Sequence, residues 1–276
     1  MKIYFSTDLE GVASVTALEQ VKHGSPEFAD TRKLFTAEVN AAIEGALSAG
    51  ADQFLVNEGH GKHRNILPEK LHRKAKLITG RNKMLHLMQG IDEGHDGMFM
   101  VGFHVGPGSK NGVLGHTFHA FNLRVNDQPL TEVGLCMGLA GYYEVPTLLV
   151  TGDAQTCQDA LTLAPDIESA AVKEAISGNS AKHMHPLDAQ DLIREKAAKA
   201  VEKVDDIDPF FIEPPYVMDI DLYSTLMADM NEYIPGCERT GSRSIRLHTD
   251  DYEELFKLFL LSSTLSMTAY GLSVMV

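Results

Sequence analysis

Cysteine is scarce in this sequence. The 276 residues contain only three cysteines, Cys136, Cys157 and Cys237, and no CxxC pair. An odd number of widely spaced cysteines argues against a disulfide framework and against a zinc site built from thiolates. We therefore interpret all three as small buried hydrophobic side chains.

Positive charge is also scarce. Lys and Arg number 24 against 38 Asp and Glu, which gives a formal net charge of -14 at pH 7. No long cluster of Lys or Arg interrupts this excess, which would repel nucleic-acid phosphates and anionic lipid headgroups. We therefore expect neither nucleic acid nor a membrane as a partner.

A secretory signal and a membrane span are not indicated either. Lys2 precedes a short apolar run that meets Asp8, without a small-residue cleavage site, so we expect a cytoplasmic protein. Residues 258–276 carry no charge and are nearly long enough to span a bilayer. Because they contain several Ser and Thr residues and follow an acidic stretch, we predict a well-buried C-terminal helix instead.

Short apolar runs alternate with longer segments of helical period, which predicts an α/β fold, a mostly parallel sheet flanked by helices. The expected strands are residues 2–7, 53–57, 75–79, 98–103 and 147–151. Between the first two, residues 26–49 should form a helix, with Ser25 as its N-cap, Pro26 at its first position and Gly50 after its end.

The second half of the chain is less regular. Residues 112–130 alternate like a hairpin that turns at Asn126 and Asp127. The other predicted elements are helices over 131–143, from 153 onward and over 187–204, a short strand over 169–173, an acidic Pro-rich linker over 205–215, strands over 216–222 and 244–248, and the terminal helix. We predict an α/β metal-binding catalytic domain over residues 1–210 and a smaller α+β C-terminal portion over residues 211–276.

Acidic and imidazole side chains follow three of the predicted strands. Asp8 and Glu10 follow the first strand, Glu58 and His60 the second, and His104 the fourth. Ligands in open α/β sheets bind outside the carboxyl ends of the strands, so these side chains should meet at one edge. Carboxylate and imidazole without thiolate suit a hydrolytic Zn²⁺ site, and Mn²⁺ or Co²⁺ would also fit.

The spacing of Asp8 and Glu10 is informative by itself. Residues at i and i+2 of an extended chain point the same way, so these two carboxylates should project together. Buried without a partner they would repel each other, and a dication removes that penalty. In a two-metal centre one carboxylate would bridge, and a water of lowered pKa would attack a polarised carbonyl.

Other candidate side chains have two or more interpretations. Glu132 opens a predicted helix, where it either stabilises the helix start or binds metal. His116 and His119 lie on the predicted hairpin, and His116 is a general base, a stabiliser of a developing oxyanion or a simple polar residue. His63 is interpreted as a surface or helix-start residue, and residues 102–112 as a loop near the site rather than a phosphate loop.

Short blocks along nearly the whole chain resemble the D-aminopeptidases of the DppA type, which are encoded with bacterial dipeptide-transport operons. The blocks are STDLEG (6–11), VNEGHG (56–61), VGFH (101–104), GVLGHT (112–117), VNDQPLTEVGL (125–135), AGYYEVP (140–146), TGD (151–153) and AVK (171–173). Their order and spacing make the resemblance specific, although no single block would suffice.

The resemblance implies a metal-dependent aminopeptidase with two Zn²⁺ per subunit that hydrolyses short peptides with N-terminal D-amino acids. It also implies a homodecamer, assembled as a ring. The metal ligands carried over from the family are Asp8, which would bridge, and Glu10, His60, His104 and Glu132. The catalytic histidine carried over is His116.

Two positions depart from the family pattern. The family usually has Asp where this chain has Glu58, whose longer side chain would reach differently behind the metal ligands. It tends to have Ser-Arg where this chain has Ser177 and Gly178, which affects peptide-length preference or assembly if that Arg holds a substrate carboxylate or a subunit contact.

Two other functions stay open. Similar ligands serve dinuclear phosphoesterases, although the predicted strand ends offer few cations beyond Lys62, Arg64 and Lys110. The other is a metal-bound, non-catalytic binding protein, in which the Gly178 departure would mark lost activity.

Overall fold

Two β-sheets organise the protein, whose structure is a computed structural model that describes residues 1–273. The strands are β1 Lys2–Thr7, β2 Gln53–Glu58, β3 Ala75–Ile78, β4 Gly97–Phe103, β5 Ala120–Val125, β6 Gln128–Pro129, β7 Thr147–Asp153, β8 Glu168–Ser177, β9 Ser180–His183, β10 Tyr216–Leu222, β11 Glu238–Arg239 and β12 Ser244–Thr249. The helices are α1 Leu18–Val21, α2 Phe28–Ser48, α3 Glu132–Tyr142, α4 Ala154–Leu163, α5 Pro186–Glu202, α6 Thr225–Asn231 and α7 Tyr252–Ser273.

The larger sheet is parallel except at one edge. Within residues 1–273 its strand order is β3-β2-β1-β4-β7-β8-β9, and only β9 runs antiparallel, in a hairpin with β8. The interior strand β1 is buried from Ile3 to Thr7, as expected of a parallel strand covered on both faces. The predicted α/β fold class is confirmed.

The smaller sheet is antiparallel and joins distant parts of the chain. Its strand order is β11-β12-β10-β5-β6. Strand β10 pairs with β12 on one side and with β5 on the other. Two strands of this sheet therefore come from residues 120–129, before the predicted boundary at residue 210. The division into residues 1–210 and 211–276 stays a prediction.

Most predicted strands lie within two residues of the observed ones, and the differences have local causes. Helix α2 begins at Phe28 with Glu27 in the N-cap position, so Ser25 and Pro26 lie before the helix and the predicted cap was wrong. The predicted end of the helix was right: Gly50 adopts a left-handed φ of 103°, and the N–H of Ala51 donates to the carbonyl of Ala46.

The predicted hairpin was half right. Its turn does lie at Asn126 and Asp127, which have φ of 50° and 65° as a tight hairpin turn requires. The first strand, however, begins only at Ala120, and residues 112–119 form a loop. Leu114 and Phe118 have left-handed φ values of 53° and 46°, which a β-ladder does not allow.

The C-terminal helix α7 buries one face, which packs against α3 and α6. Leu261, Met267 and Tyr270 on its other face are exposed, so the predicted well-buried helix is buried on one side only. By length and composition α7 would be able to cross a membrane. Residues 274–276, with which the predicted segment ends, lie outside the described residues.

The cysteines largely follow the prediction. Cys136 and Cys157 are buried and Cys237 is partly exposed, and none forms a disulfide within the described part of the chain. The interpretation as small buried hydrophobic side chains is confirmed for Cys136 and Cys157 and was wrong for Cys237.

A buried lysine fixes the segment that follows β1. The Lys173 ammonium, from β8, donates to the carbonyls of Glu10, Val12 (3.1 Å) and Val15 (2.8 Å). From α2, the buried Glu38 carboxylate accepts from the N–H of Ala13 at 2.8 Å. These side chains replace the hydrogen bonds that water would give to a loop, so residues 8–15 are held rigidly inside the protein.

Two glycines let this segment approach β4. The N–H of Gly11 donates to the carbonyl of Gly102 at 2.8 Å. A Cβ on Gly11 would lie 1.9 Å from the Phe103 carbonyl oxygen, and one on Gly102, whose φ is 79°, would lie 2.2 Å from the Asp8 carbonyl oxygen. Any side chain at either position would push the segment after β1 away from β4.

Lys173→Met should destabilise the fold, because three buried carbonyls would lose their donor. We expect a loss of about 3 kcal/mol in the free energy of unfolding, measured by urea denaturation. Lys182→Met, on the exposed neighbouring strand β9, is the matched control and should change the free energy by about 0.5 kcal/mol or less. Equal stability of the two variants would contradict the role given to Lys173.

Candidate metal centre

The sheet topology brings the predicted strand-end residues to one place. Asp8 and Glu10 follow β1, His60 follows β2 and His104 follows β4. These three strands are neighbours and run parallel, with β1 in the middle. The fifth predicted ligand, Glu132, is the first residue of α3, whose N-cap is Thr131.

Four of the five side chains approach one another around Asp8. The two oxygens of this carboxylate face different histidines: Oδ1 lies 3.4 Å from Nδ1 of His60, and Oδ2 lies 3.3 Å from Nε2 of His104. Nδ1 of His60 also lies 2.8 Å from Oε2 of Glu10. Glu132 approaches from the other side, with Oε1 at 3.9 Å from Nε2 of His104.

Backbone carbonyls orient the three imidazole rings. Nε2 of His60 lies 2.9 Å from the Val21 carbonyl oxygen. Nδ1 of His104 lies 2.8 Å from the Val105 carbonyl oxygen, and Nδ1 of His116 lies 2.8 Å from the Leu114 carbonyl oxygen. A carbonyl only accepts, so these ring nitrogens carry the hydrogens. The opposite nitrogens, Nδ1 of His60 and Nε2 of the other two, then have free lone pairs.

Buried atoms without partners mark where a cation would bind. Among residues 1–273, Oδ2 of Asp8, Oε2 of Glu10 and Nε2 of His104 have no hydrogen-bond partner. Nε2 of His60 carries the ring hydrogen, so the lone pair on Nδ1 faces a lone pair of Glu10. This contact is repulsive unless a proton or a cation lies between the two atoms. Carboxylates and imidazoles with this geometry fit a divalent cation such as Zn²⁺, Mn²⁺ or Co²⁺.

The candidate ligands form two overlapping groups. One contains Asp8, Glu10 and His104, and the other contains His104, His116 and Glu132, with ligand atoms within 4.8 Å of one another in each group. The rings of His104 and His116 stack 3.9 Å apart, which brings His116 into the second group. Distances alone do not separate a ligand role for His116 from a catalytic one, and all six assignments stay predictions.

The charges of the site stabilise each other. Burial by itself would raise the pKa of Glu10, but the positive charge of a protonated His60 beside it holds that pKa well below its usual range. Burial would lower the pKa of His60, yet Glu10 and Asp8 raise it well above the usual value. Burial raises the pKa of Glu132 against the opposing effect of His104. The site therefore favours positive charge between its carboxylates.

One part of a cavity of about 800 Å³ is lined by Asp8, Glu10, His60, His116 and Glu132. The rest of its wall includes side chains from residues 81–87, from the loop after His60, from residues 118–119 and from the side of α7 that includes Lys257 and Ser263. Arg81 follows β3 but is not a metal-ligand type, and the α7 residues lie on a helix, so sequence reasoning missed both segments. The cavity also places three cations, Arg81, Lys83 and Lys257, near a site where few were expected.

Two histidines of this wall form a pair that the sequence did not indicate. His63 is buried, so its interpretation as a surface or helix-start residue was wrong. Its Nε2 lies 3.0 Å from Nε2 of His86. Burial and nearby positive charge lower the pKa of His63 to about 2 and that of His86 to about 3, so both rings stay neutral at ordinary pH.

The two departures from the family pattern lie beside the site. Glu58 turns away from the cavity, and its carboxylate accepts from Asn65 and from the N–H of Ile66 at 3.2 Å, which holds the loop carrying His60. The Gly178 carbonyl accepts from the N–H of Leu114 at 2.9 Å, two residues before His116. A side chain at position 178 would extend into open space.

Comparison with known proteins gives consistent matches over nearly the whole chain. A sequence model of the peptidase family M55, described as D-aminopeptidase, matches residues 1–261. A D-aminopeptidase of Bacillus subtilis (strain 168) is 33% identical over 270 residues, which are 97% of this chain and 98% of that protein. The solved structure of a Zn-dependent D-aminopeptidase DppA from Bacillus subtilis, a self-compartmentalizing protease, superposes with a TM-score of 0.94 at 32% identity, covering 97% of this chain and 98% of that one.

Metal binding should depend on pH, because Zn²⁺ and a proton compete for Nδ1 of His60. The pKa of His60 lies well above its usual value of about 6.5, so the proton competes strongly at neutral pH. We expect the affinity for Zn²⁺ to keep rising with pH above 6.5, because His60 loses its proton only above that pH. Competition with a chromophoric chelator, corrected for the chelator's own protonation, measures this. An affinity that does not change with pH would contradict the assignment of His60 as a ligand.

Proposed function

This chain belongs to the D-aminopeptidase family, and we propose that it is a zinc-dependent aminopeptidase that removes D-amino acids from the N-termini of short peptides at a dinuclear site. The observation that carries the proposal is the convergence of Asp8, Glu10 and His104 with unpartnered buried atoms at the parallel strand ends. The relative of known structure is described as Zn-dependent, which supports zinc as the metal.

Asp8 supports the proposal of two metals. One of its oxygens faces His60 and the other faces His104, which supports a role for this carboxylate as a bridge between two metal ions. Glu10 and His60 would complete the metal position on the first side, and His104 and Glu132 the position on the second. The N–H of Phe118 donates to Oε1 of Glu132 at 2.8 Å and fixes the direction of that carboxylate.

When bound, the dications would polarise the scissile carbonyl and lower the pKa of an attacking water. His116 would act on the reacting atoms through Nε2, because its Nδ1–H donates to the Leu114 carbonyl and fixes the tautomer. Nε2 would accept a proton during attack, and the resulting imidazolium would stabilise negative charge on the carbonyl oxygen. The loop of residues 112–119, rather than a strand, positions this ring.

The cavity suits a short peptide with a free amino group. About 800 Å³ is within the range of pockets that enclose small ligands and is too small for a folded chain. Because an aminopeptidase cleaves next to the N-terminal residue, the free amino group of a bound peptide would lie at the metal end of the cavity. The preference for D-amino acids rests on family membership.

Assembly and location are part of the same proposal. The relative of known structure is described as a self-compartmentalizing protease, which supports an oligomer whose active sites face an enclosed space. We propose a ring-like homodecamer in the cytoplasm. Such a chamber would limit access to short peptides.

Phosphoester hydrolysis is the second candidate, because Arg81 and Lys83, which follow β3, and Lys257 of α7 supply more cavity cations than the sequence led us to expect. It shares the metal site with the first candidate. Substrate choice therefore has to be measured directly.

The proposed function predicts turnover of D-Ala-D-Ala and of other dipeptides with a D-residue at the N-terminus, and slower turnover of their L-counterparts. A phosphoester such as p-nitrophenyl phosphate should be stable. Removal of metal by chelation should abolish activity, and added Zn²⁺ should restore it. Full peptidase activity in a demonstrably metal-free protein would exclude the proposal, and phosphoester turnover alone would favour the second candidate.

Two substitutions separate metal binding from chemistry. Asp8→Ala should lose bound metal and activity together. His116→Gln should keep the metal content of the wild type and lower kcat by roughly 100-fold or more, as expected for loss of a proton-transferring group. His248→Gln, an exposed residue of β12, is the control and should change neither quantity. Loss of metal in His116→Gln would make His116 a ligand instead.

A further inference from the structure

The cavity carries opposite charges in different parts of its wall. Asp8, Glu10 and Glu132 supply negative charge at the proposed metal site, while Arg81, Lys83 and Lys257 supply positive charge elsewhere in the same wall. A short peptide carries a positive amino group at one end and a negative carboxylate at the other. Bound dications would offset the negative charge at the metal site, so the wall away from that site offers a peptide a cation for its carboxylate end.

Two of the three cations already have partners. The Lys83 ammonium donates to Oδ1 of Asn57 at 2.6 Å and to the backbone carbonyl of Glu58. The Lys257 ammonium pairs with Glu253 one helical turn away on α7. The charge of Lys257 is therefore balanced by Glu253, while the two neutral acceptors hold the Lys83 ammonium against the end of β2 and leave it a single free N–H.

Arg81 is different. It is exposed, and among residues 1–273 its guanidinium has no hydrogen bond or ion pair with another residue. A chain with a formal net charge of -14 offers many carboxylates, yet Arg81 pairs with none in the described part of the chain. Its fork of N–H donors matches the two oxygens of a carboxylate.

The backbone on both sides of Arg81 is anchored. Gly80, with a φ of 94°, donates its N–H to the His63 carbonyl at 2.7 Å. Asn82 also has a left-handed φ, 63°, and Lys83 then ties the chain to the end of β2. The turn at residues 80–83 therefore presents Arg81 to the cavity from a fixed base, which lowers the entropy lost when a ligand binds.

We propose that Arg81 binds the C-terminal carboxylate of the peptide substrate, and that the enzyme consequently selects short peptides with a free C-terminus. This inference rests on the proposed aminopeptidase function. In an acidic protein a peptide carboxylate is repelled unless a local cation receives it. A guanidinium in the cavity that holds the metal site gives the anionic end of a short substrate a place to bind, while the amino end lies at the metal site.

The experiment compares D-Ala-D-Ala with D-Ala-D-Ala amide, which has the same scissile bond and no carboxylate. In the wild type, KM for the free acid should be lower than KM for the amide. Arg81→Gln should raise KM for the free acid by roughly tenfold, as expected for loss of a charge-assisted hydrogen bond. KM for the amide should change by about twofold or less, since that peptide has no carboxylate for a guanidinium to bind.

The controls test charge and geometry separately. Arg73→Gln removes the same charge from an exposed arginine outside the cavity and should leave both KM values unchanged. Arg81→Lys keeps the charge but not the planar fork and should recover only part of the free-acid affinity. A matching change for both peptides in Arg81→Gln, or for neither, would overturn the assignment.

The outcomes for the wild type separate this inference from the proposed function. Turnover of both peptides with equal KM values would overturn carboxylate recognition and leave the aminopeptidase function standing. Turnover of neither peptide by the zinc-loaded protein would overturn both. If both peptides are turned over, with a lower KM for the free acid that Arg81→Gln removes, carboxylate recognition and the aminopeptidase function are both supported.

Discussion

The structure depends on the burial of two carboxylates side by side. Asp8 and Glu10 are both 4% exposed, and their oxygens meet imidazole nitrogens whose lone pairs point back at them. Such an arrangement is unfavourable unless positive charge lies between the groups. A proton on His60 supplies part of that charge, and a dication would supply it fully. The same demand for positive charge fits the site for a divalent cation, which would compete there with protons.

Rigid backbone support is the second half of this arrangement. A ligand set holds its geometry only if the segments that carry it cannot relax away from one another. Lys173 ties down the carbonyls after β1, Gly11 and Gly102 bring that segment against β4, and Glu58 holds the loop after β2. None of these side chains is a proposed ligand. Each is nonetheless buried or closely packed beside a ligand-bearing segment, so the stability of the fold and the geometry of the site are coupled.

The sequence predicted the part of the site that follows from topology. Parallel neighbouring strands send their carboxyl ends to one edge, so Asp8, Glu10, His60 and His104 were found from strand ends alone. Glu132 opens a helix, where its charge has an ordinary structural explanation, and only the family resemblance singled it out as a ligand. His63, His86 and Arg81 lie on loops whose course depends on tertiary contacts, so no periodicity marked them. Residues 112–119 were misassigned because their polar and apolar alternation resembles a strand, whereas Leu114 and Phe118 adopt left-handed backbone conformations.

Substitutions at the buried metal end of the cavity should have different effects from substitutions in its exposed wall. The metal end is buried and its supporting residues are shared with the core, so substitutions there affect folding, metal binding and chemistry together. The remainder of the wall comes from the turn carrying Arg81 and from one face of α7, where Leu261 and Met267 are exposed. Arg81, Leu261 and Met267 are exposed, so substitutions of these side chains should cost the fold little stability. The proposed chemistry therefore depends on buried residues at the edge of the sheet, while the proposed choice of peptide depends on exposed side chains of a turn and a helix.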